Sequence, residues 1–67
     1  MIEADRILAF CRDNKYTEID SATVACYVLR TSLPIVSLAF ASLVRDGLAK
    51  YKDEKETVIE ILQEKKP

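Results

Sequence analysis

The single glycine of this 67-residue chain, Gly47, is the feature that most constrains how the chain folds. Residues 33–45 before it are apolar at helical spacing, and residues 48–52 after it alternate as a strand does. Ser32 can cap the helix and Pro34 fits its first turn, where a missing N–H costs little. Glycine readily adopts the left-handed conformation that ends many helices. The sequence therefore predicts a helix that ends at Gly47, followed at once by a strand.

The chain before this helix contains three further predicted elements. Residues 3–13 form a first helix. Its apolar stripe consists of Ala4, Ile7, Leu8 and Cys11. Residues 16–19 alternate and could pair as a short strand. Asp20 or Ser21 can then cap a second helix over about 22–29, because either side-chain oxygen can accept an orphan backbone N–H. The inward-facing residues of this second helix are Val24, Ala25 and Val28.

The C-terminal part of the chain allows two interpretations. Residues 57–62 are rich in β-branched side chains and could pair with residues 48–52 as a hairpin across a charged turn. Thr57 and Glu60 also match a helical capping box. We favour the hairpin, because Val and Ile beside Thr prefer the extended conformation. Residues 63–67 form a polar tail.

The composition is that of one small domain, predicted to span residues 1–67 with a folded core over about 3–62. Hydrophobic residues make up 49% of the chain and charged residues 31%, which excludes a disordered chain. Ten Lys and Arg residues against eleven Asp and Glu residues give a net charge of −1. This balance excludes a bulk polycation that binds nucleic acid through many cationic contacts.

Side chains suited to catalysis or metal binding are scarce. The chain has no His, which removes the usual proton shuttle and the commonest metal ligand, and one glycine cannot build a phosphate-binding loop. Cys11 and Cys26 lie in apolar stretches and lack zinc-site spacing, which favours two buried, reduced thiols, with a disulfide or redox pair as the alternative. We therefore expect a non-enzymatic protein with no cofactor and no metal.

The sequence also predicts a cytoplasmic protein without a membrane partner. Residues 1–6 carry mixed charge and lack the basic start of a signal peptide. The longest apolar run, residues 33–41, is interrupted by Pro34 and Ser37 and is shorter than the ~20 residues that a membrane span needs.

The order of the predicted elements resembles that of the winged helix-turn-helix family. Residues 19–25 carry the resemblance for the second helix, and residues 32–48 carry it for the third helix and its exit. Residues 43–51, LVRDGLAKY, look like the family's passage from recognition helix into wing. The resemblance covers about 3–62 and implies a mostly α, α+β fold of three helices plus a small β-hairpin wing. The turn over 28–36 is about one residue longer than the commonest spacing.

The third predicted helix has two distinct faces. The core-facing residues are Val36, Phe40 and Leu43, flanked by Leu33, Ala39 and Val44. The outer residues are Pro34, Leu38, Ala41 and Arg45, with Ile35, Ser37 and Ser42 at the margins. In a DNA-reading protein this outer face would enter the major groove.

Two functions are open, since the family includes both DNA-binding regulators and protein-binding modules. The resemblance favours the first, which we place ahead, and the side chains of the outer face favour the second. The first is a transcriptional-type regulator that binds double-stranded DNA as a dimer or beside a larger subunit. Its candidate DNA contacts are Arg30, Ser37, Ser42, Arg45, Lys50, Lys52 and Lys55. The alternative is a module that docks another protein or a second copy. Its candidate contacts are Ile35, Leu38 and Ala41, unless the C-terminal segment covers them.

Overall fold

The first helix, α1, spans Ile2–Asp13 in the computed structural model, which describes residues 2–62. The predicted tail over 63–67 lies outside the described residues. The stripe predicted from the sequence faces the core, and α1 ends where Lys15 adopts a left-handed φ of 59°. The Tyr16 N–H donates to the Cys11 carbonyl at 2.8 Å, which satisfies one of the last carbonyls of the helix.

A short strand and a capped helix follow. Strand β1 spans Glu18–Asp20, slightly later than the sequence predicts, and helix α2 begins with Ser21–Thr23. Asp20 is the N-cap: its carboxylate accepts hydrogen bonds from both the backbone N–H and the hydroxyl of Thr23. These bonds lower the pKa of Asp20, because they stabilise the charged carboxylate.

Helix α2 continues into a π-helical segment, Val24–Val28, in place of the regular helix that the sequence predicts over 22–29. The Leu29 N–H donates to the Val24 carbonyl at 2.9 Å, five residues back. Val24 is fully buried, whereas Cys26 is exposed. The prediction that Cys26 is buried is wrong, because two residues along a helix turn a side chain to nearly the opposite face.

Helix α3 spans Leu33–Arg45, and a four-residue turn over 29–32 connects α2 to it. The chain changes direction by 112° between residues 21–28 and α3. Ser32 occupies the predicted N-cap position, but its side chain makes no capping hydrogen bond to the described residues. Leu33, predicted to flank the core, is 53% exposed at the first residue of the helix.

Gly47 ends α3 as the sequence predicts, at a φ of 77°. The Gly47 N–H donates to the Val44 carbonyl at 3.1 Å, and the Leu48 N–H donates to the Leu43 carbonyl at 2.9 Å. These two bonds define a Schellman motif, which satisfies two of the last carbonyls of the helix.

Replacing Gly47 with alanine is expected to destabilise the fold by about 1–2 kcal/mol, the cost of a left-handed residue with a Cβ. A Cβ at this position meets no atom within 4 Å, so the cost is purely conformational. The converse change, Lys15→Gly, removes a side chain from a left-handed residue at the end of α1, so it should not lower the free energy of unfolding. Urea unfolding of both variants measures the difference, and equal destabilisation by both would contradict the argument.

The hairpin interpretation of the C-terminal part is confirmed over residues 49–61. Strands β2, Ala49–Tyr51, and β3, Val58–Ile61, pair antiparallel, and β1 adds to the other edge of β3. Ile59 is the centre of the sheet, because it is opposite Ile19 on one side and Tyr51 on the other.

The turn between β2 and β3 is organised by Asp53. Its carboxylate accepts hydrogen bonds from the backbone N–H of Thr57 at 2.9 Å, from that of Val58 at 3.1 Å and from the Thr57 hydroxyl. These bonds lower the pKa of Asp53, the bond from the Thr57 hydroxyl most of all. Glu56, with a φ of 59°, completes the turn.

Acid is expected to weaken this turn. Because the folded-state pKa of Asp53 lies below its unfolded value, the carboxylate stabilises the fold above a pH of about 4, and this contribution is lost as the pH falls through the lowered folded pKa. At neutral pH the Asp53→Ala variant should therefore have a lower melting temperature than the unmodified protein, and this difference should narrow in acid. Thermal melts from neutral to acid pH measure the difference in melting temperature. A difference that stays constant would contradict the stabilising role of the Asp53 carboxylate.

The core lies between the three helices and one face of the sheet. Its largest fully buried side chains are Phe40, Ile7, Leu43, Ile59, Val24, Val36 and Cys11. Over residues 2–62 the fold is α+β and mostly helical, with three helices and a three-stranded antiparallel sheet, an arrangement compatible with a winged-helix-like fold. Within residues 2–62 no single helix is long and apolar enough to cross a membrane, and only the bent pair of residues 21–28 and α3 together has the necessary length and composition.

Candidate interaction surface on helix α3

The solvent-facing side of α3 is a stripe formed by Pro34, Leu38, Ala41 and Arg45, all exposed, of which the first three are apolar. We call these four residues the α3 stripe. No charged residue occurs between positions 31 and 44, so Arg45 is the only charge on the helix. A helix face that is apolar and uncharged over most of its length is typical of a protein contact and unusual for a hydrated surface.

Leu38 is the most prominent apolar side chain of the stripe. It is 60% exposed, while Phe40, two residues further on, is fully buried. The predicted division of α3 into a core face and an outer face is therefore observed at these two residues. Ile35, the third predicted partner contact, lies at the margin and is half-buried. Within residues 2–62, the chain itself does not cover Leu38.

A shallow depression of about 550 Å³ lies beside Leu38. Its walls are formed by Leu38, Ala41, Ser42, Arg45 and Asp46. The small side chains of Ala41 and Ser42 leave this space on the helix surface. On the α3 stripe, the protruding side chain of Leu38 therefore lies directly beside this depression.

One of the three predicted DNA contacts on α3, Ser42, is less exposed than expected. Ser42 is only 8% exposed, because it follows the fully buried Ala39 by three residues and lies on the same side of the helix. Ser42 therefore lies mostly beneath the surface of α3, and its role as a DNA contact stays a prediction. Arg45 and Ser37 are exposed as predicted, and the Arg45 guanidinium lies 3.8 Å from the carboxylate of the adjacent Asp46.

Two of the three lysines predicted to reach DNA from the hairpin, Lys50 and Lys52, are engaged in ion pairs. The Lys50 ammonium lies 3.6 Å from the carboxylate of Glu60, its opposite residue on β3. The Lys52 ammonium bridges two carboxylates, at 3.6 Å from Glu60 and 3.9 Å from Glu18. Lys52 thereby offsets the repulsion between the two glutamates, which are directly opposite each other. These pairs reduce the positive field that the hairpin can offer to a phosphate.

The two remaining predicted contacts are in exposed turns. Arg30 adopts a left-handed φ of 53° in the turn between α2 and α3. Lys55 lies in the hairpin turn between Glu54 and Glu56, both exposed. The candidate cations are therefore distributed over a turn, a helix end and a hairpin, with acidic neighbours at the last two.

The sequence interpretation missed two surface features. Tyr27, in the π-helical segment, is 79% exposed, the largest exposed fraction among the large hydrophobic residues of the described chain. Glu60 is the central acid of the ion-paired sheet face. The sequence could have indicated this position, because Glu60 lies between Ile59 and Ile61. The alternation of a strand then places Glu60 on the face of β3 that points away from the core.

The described residues offer little for acid–base or metal chemistry. Burial raises the pKa of the Cys11 thiol, which keeps it protonated, and raises the pKa of Tyr51, where Glu56 acts in the same direction. Within residues 2–62 no group of three or more carboxylates and thiols could hold a metal ion. Compared with known proteins, the chain matches no family model, no curated protein and no solved structure.

Proposed function

We propose that this chain is a winged-helix protein that catalyses no reaction and works as a protein-interaction module through the α3 stripe. The order of helices and strands supports the winged-helix assignment. The 112° change of direction between residues 21–28 and α3 and the four-residue turn supply a further argument, since helix-turn-helix units join helices at roughly 90–120° through turns of about that length. In this assignment α3 takes the position of the recognition helix and β2–β3 that of the wing.

The observation that carries the interaction function is the exposure of Leu38 within a stretch of helix, residues 33–44, that carries no charge. A recognition helix that reads DNA presents Arg, Lys, Asn or Gln to base edges. Here the exposed polar groups of the outer face are Ser37 and Arg45, and the latter has Asp46 beside it. Burial of an apolar side chain such as Leu38 contributes about 1.5–3 kcal/mol, which a protein contact can use directly.

A DNA-binding regulator, acting as a dimer or beside a larger subunit, is the second candidate function. Arg30 and Arg45 favour it, because both are exposed and flank α3 at its two ends. The ion pairs of Lys50 and Lys52 oppose it, because these lysines would have to leave Glu60 and Glu18 to reach phosphates. Double-stranded DNA, the partner predicted from the resemblance, is the ligand in this second candidate function only.

A salt-titrated binding assay with a random-sequence DNA duplex separates the two candidates. For an interaction module we expect no binding at physiological salt, and the double variant Arg30→Glu/Lys50→Glu should behave as the unmodified protein does. For a regulator we expect salt-dependent binding that the double variant abolishes. Circular dichroism of the double variant checks that its fold is intact. Binding abolished in this way would overturn the interaction function as the primary one.

A photo-cross-linking residue in place of Leu38 tests the interaction surface directly. In the cell of origin it should form adducts with a protein, identified by mass. The matched control carries the same residue in place of Ala9, an exposed position on α1. Adducts at position 38 and none at position 9 support the proposal. Equal labelling at both positions, or no protein adduct at position 38, contradicts it.

A further inference from the structure

The spacing of the residues in the α3 stripe is the same when it is read in either direction along the helix. The four residues are separated by four, three and four positions, which is the pattern of a helix–helix seam. Because this spacing is symmetric, an antiparallel pair of α3 helices places each stripe residue opposite a stripe residue. The centre of symmetry lies between Leu38 and Ala41, so Leu38 of each copy is opposite Ala41 of the other.

The two central positions are also complementary in size. Leu38 protrudes at 60% exposure, and Ala41 lies in the wall of the depression of about 550 Å³. In the antiparallel arrangement, each Leu38 enters the hollow beside Ala41 of the other copy. Large side chains opposite small ones allow two helix surfaces to interdigitate at the usual interaxial distance of about 8–10 Å.

The charge distribution favours a second copy over a strongly charged partner. The stretch over 31–44 carries no charge that could attract such a partner or repel an identical surface. Arg45 is at the far end of the stripe, where the antiparallel arrangement places it opposite Pro34 of the other copy. Each Arg45 is partly neutralised by its own Asp46, 3.8 Å away. Two copies therefore meet without like charges at the centre of the contact.

The available area sets the strength of such a contact. A standard interface removes about 800 Å² from each partner, and the whole chain exposes 4849 Å². Helix α3, with 13 residues, is about 20 Å long and supplies less than a standard interface by itself. The exposed Leu33 at its start extends the apolar area. Association in the micromolar range is the expectation for a contact of this size.

We propose that the partner of the α3 stripe is a second copy of this chain, which docks antiparallel with Leu38 opposite Ala41. This inference rests on the proposed function, since it names the occupant of the same surface. The dimer is isologous, because each copy contributes both the protruding side chain and the hollow. It joins the two copies through the helix that a DNA-reading protein would place in the major groove.

Sedimentation equilibrium over a range of protein concentrations tests the proposal. The unmodified protein should pass from monomer to dimer, and Leu38→Glu should weaken dimerisation at least about tenfold, because it places a charge in an apolar contact. The double variant Leu38→Glu/Ala41→Lys should restore it, since each glutamate is then opposite a lysine of the other copy. The control Leu38→Glu/Ala9→Lys has the same net charge and should not restore it.

Each result has a defined meaning. A monomer at all concentrations, a dimer indifferent to Leu38→Glu, or a failure of the Ala41→Lys rescue overturns the antiparallel second-copy contact. If Leu38→Glu does not fold, as judged by circular dichroism, Ala41→Glu replaces it with the same expected loss of dimer. A monomeric protein whose position 38 still cross-links to a different protein overturns this inference and leaves the proposed function intact. If the protein is monomeric and position 38 forms no protein cross-link, this inference and the proposed function are both overturned.

Discussion

Replacing Phe40 with alanine is expected to lower the free energy of unfolding by about 3–5 kcal/mol, the usual range for a buried phenylalanine. Phe40 is fully buried in the middle of α3 and is the largest of the fully buried side chains of the described chain. The core of a domain below about 70 residues rarely supplies more than about 3–5 kcal/mol of net stability, so the variant should be largely unfolded at physiological temperature. Urea unfolding followed by circular dichroism measures the loss.

The matched control for Phe40→Ala is Leu38→Ala, two residues earlier on the same helix. Leu38 is 60% exposed, and exposed substitutions usually change stability by less than about 0.5 kcal/mol. Both variants replace one large apolar side chain with alanine, so helix propensity affects them similarly. Comparable losses in the two variants, measured at a concentration where the chain is monomeric, would show that α3 is rotated from the described orientation.

Ile59→Ala is expected to cost about 2–5 kcal/mol, because a fully buried isoleucine leaves a cavity that the surroundings fill incompletely. Ile59 lies on the central strand and is opposite both Ile19 and Tyr51. Its loss should therefore weaken the attachment of β1 and β2 to β3 together. Amide hydrogen exchange should show faster exchange across all three strands.

Ile2→Ala is a suitable comparison for this prediction, since Ile2 is a highly exposed isoleucine at the start of α1. It should change the free energy of unfolding little and leave exchange in the sheet unaltered. If Ile59→Ala accelerates exchange in β2 and leaves β1 protected, the two edge strands are held independently. The central role assigned to Ile59 would then be incorrect.

Association and stability are expected to respond to different residues of the same helix. Phe40 contributes to the core and Leu38 to the proposed contact, although they are only two positions apart. Changes at Leu38 should affect the monomer–dimer equilibrium and leave the monomer folded. Changes at Phe40 should affect the monomer itself. This separation makes the α3 stripe accessible to mutagenesis without loss of the fold.

Patterns that depend on near neighbours were predictable from the sequence. The stripe of α1, the end of α3 at Gly47 and the alternation of β2 and β3 are all formed by residues within a few positions of one another. Helical and extended periodicities differ enough to separate these elements without knowledge of the rest of the chain. The division between Phe40 and Leu38 followed from the same periodicity.

The tertiary structure decided what depends on residues distant in the chain. Lys52 lies near Glu18, 34 positions earlier, because β3 brings the two edge strands into one sheet, and no local pattern encodes this pairing. The exposure of Leu33 is likewise decided by packing, because its helical position alone places it beside the core face. Periodicity assigns a side chain to a face of its helix, whereas packing against other elements determines whether that face is covered.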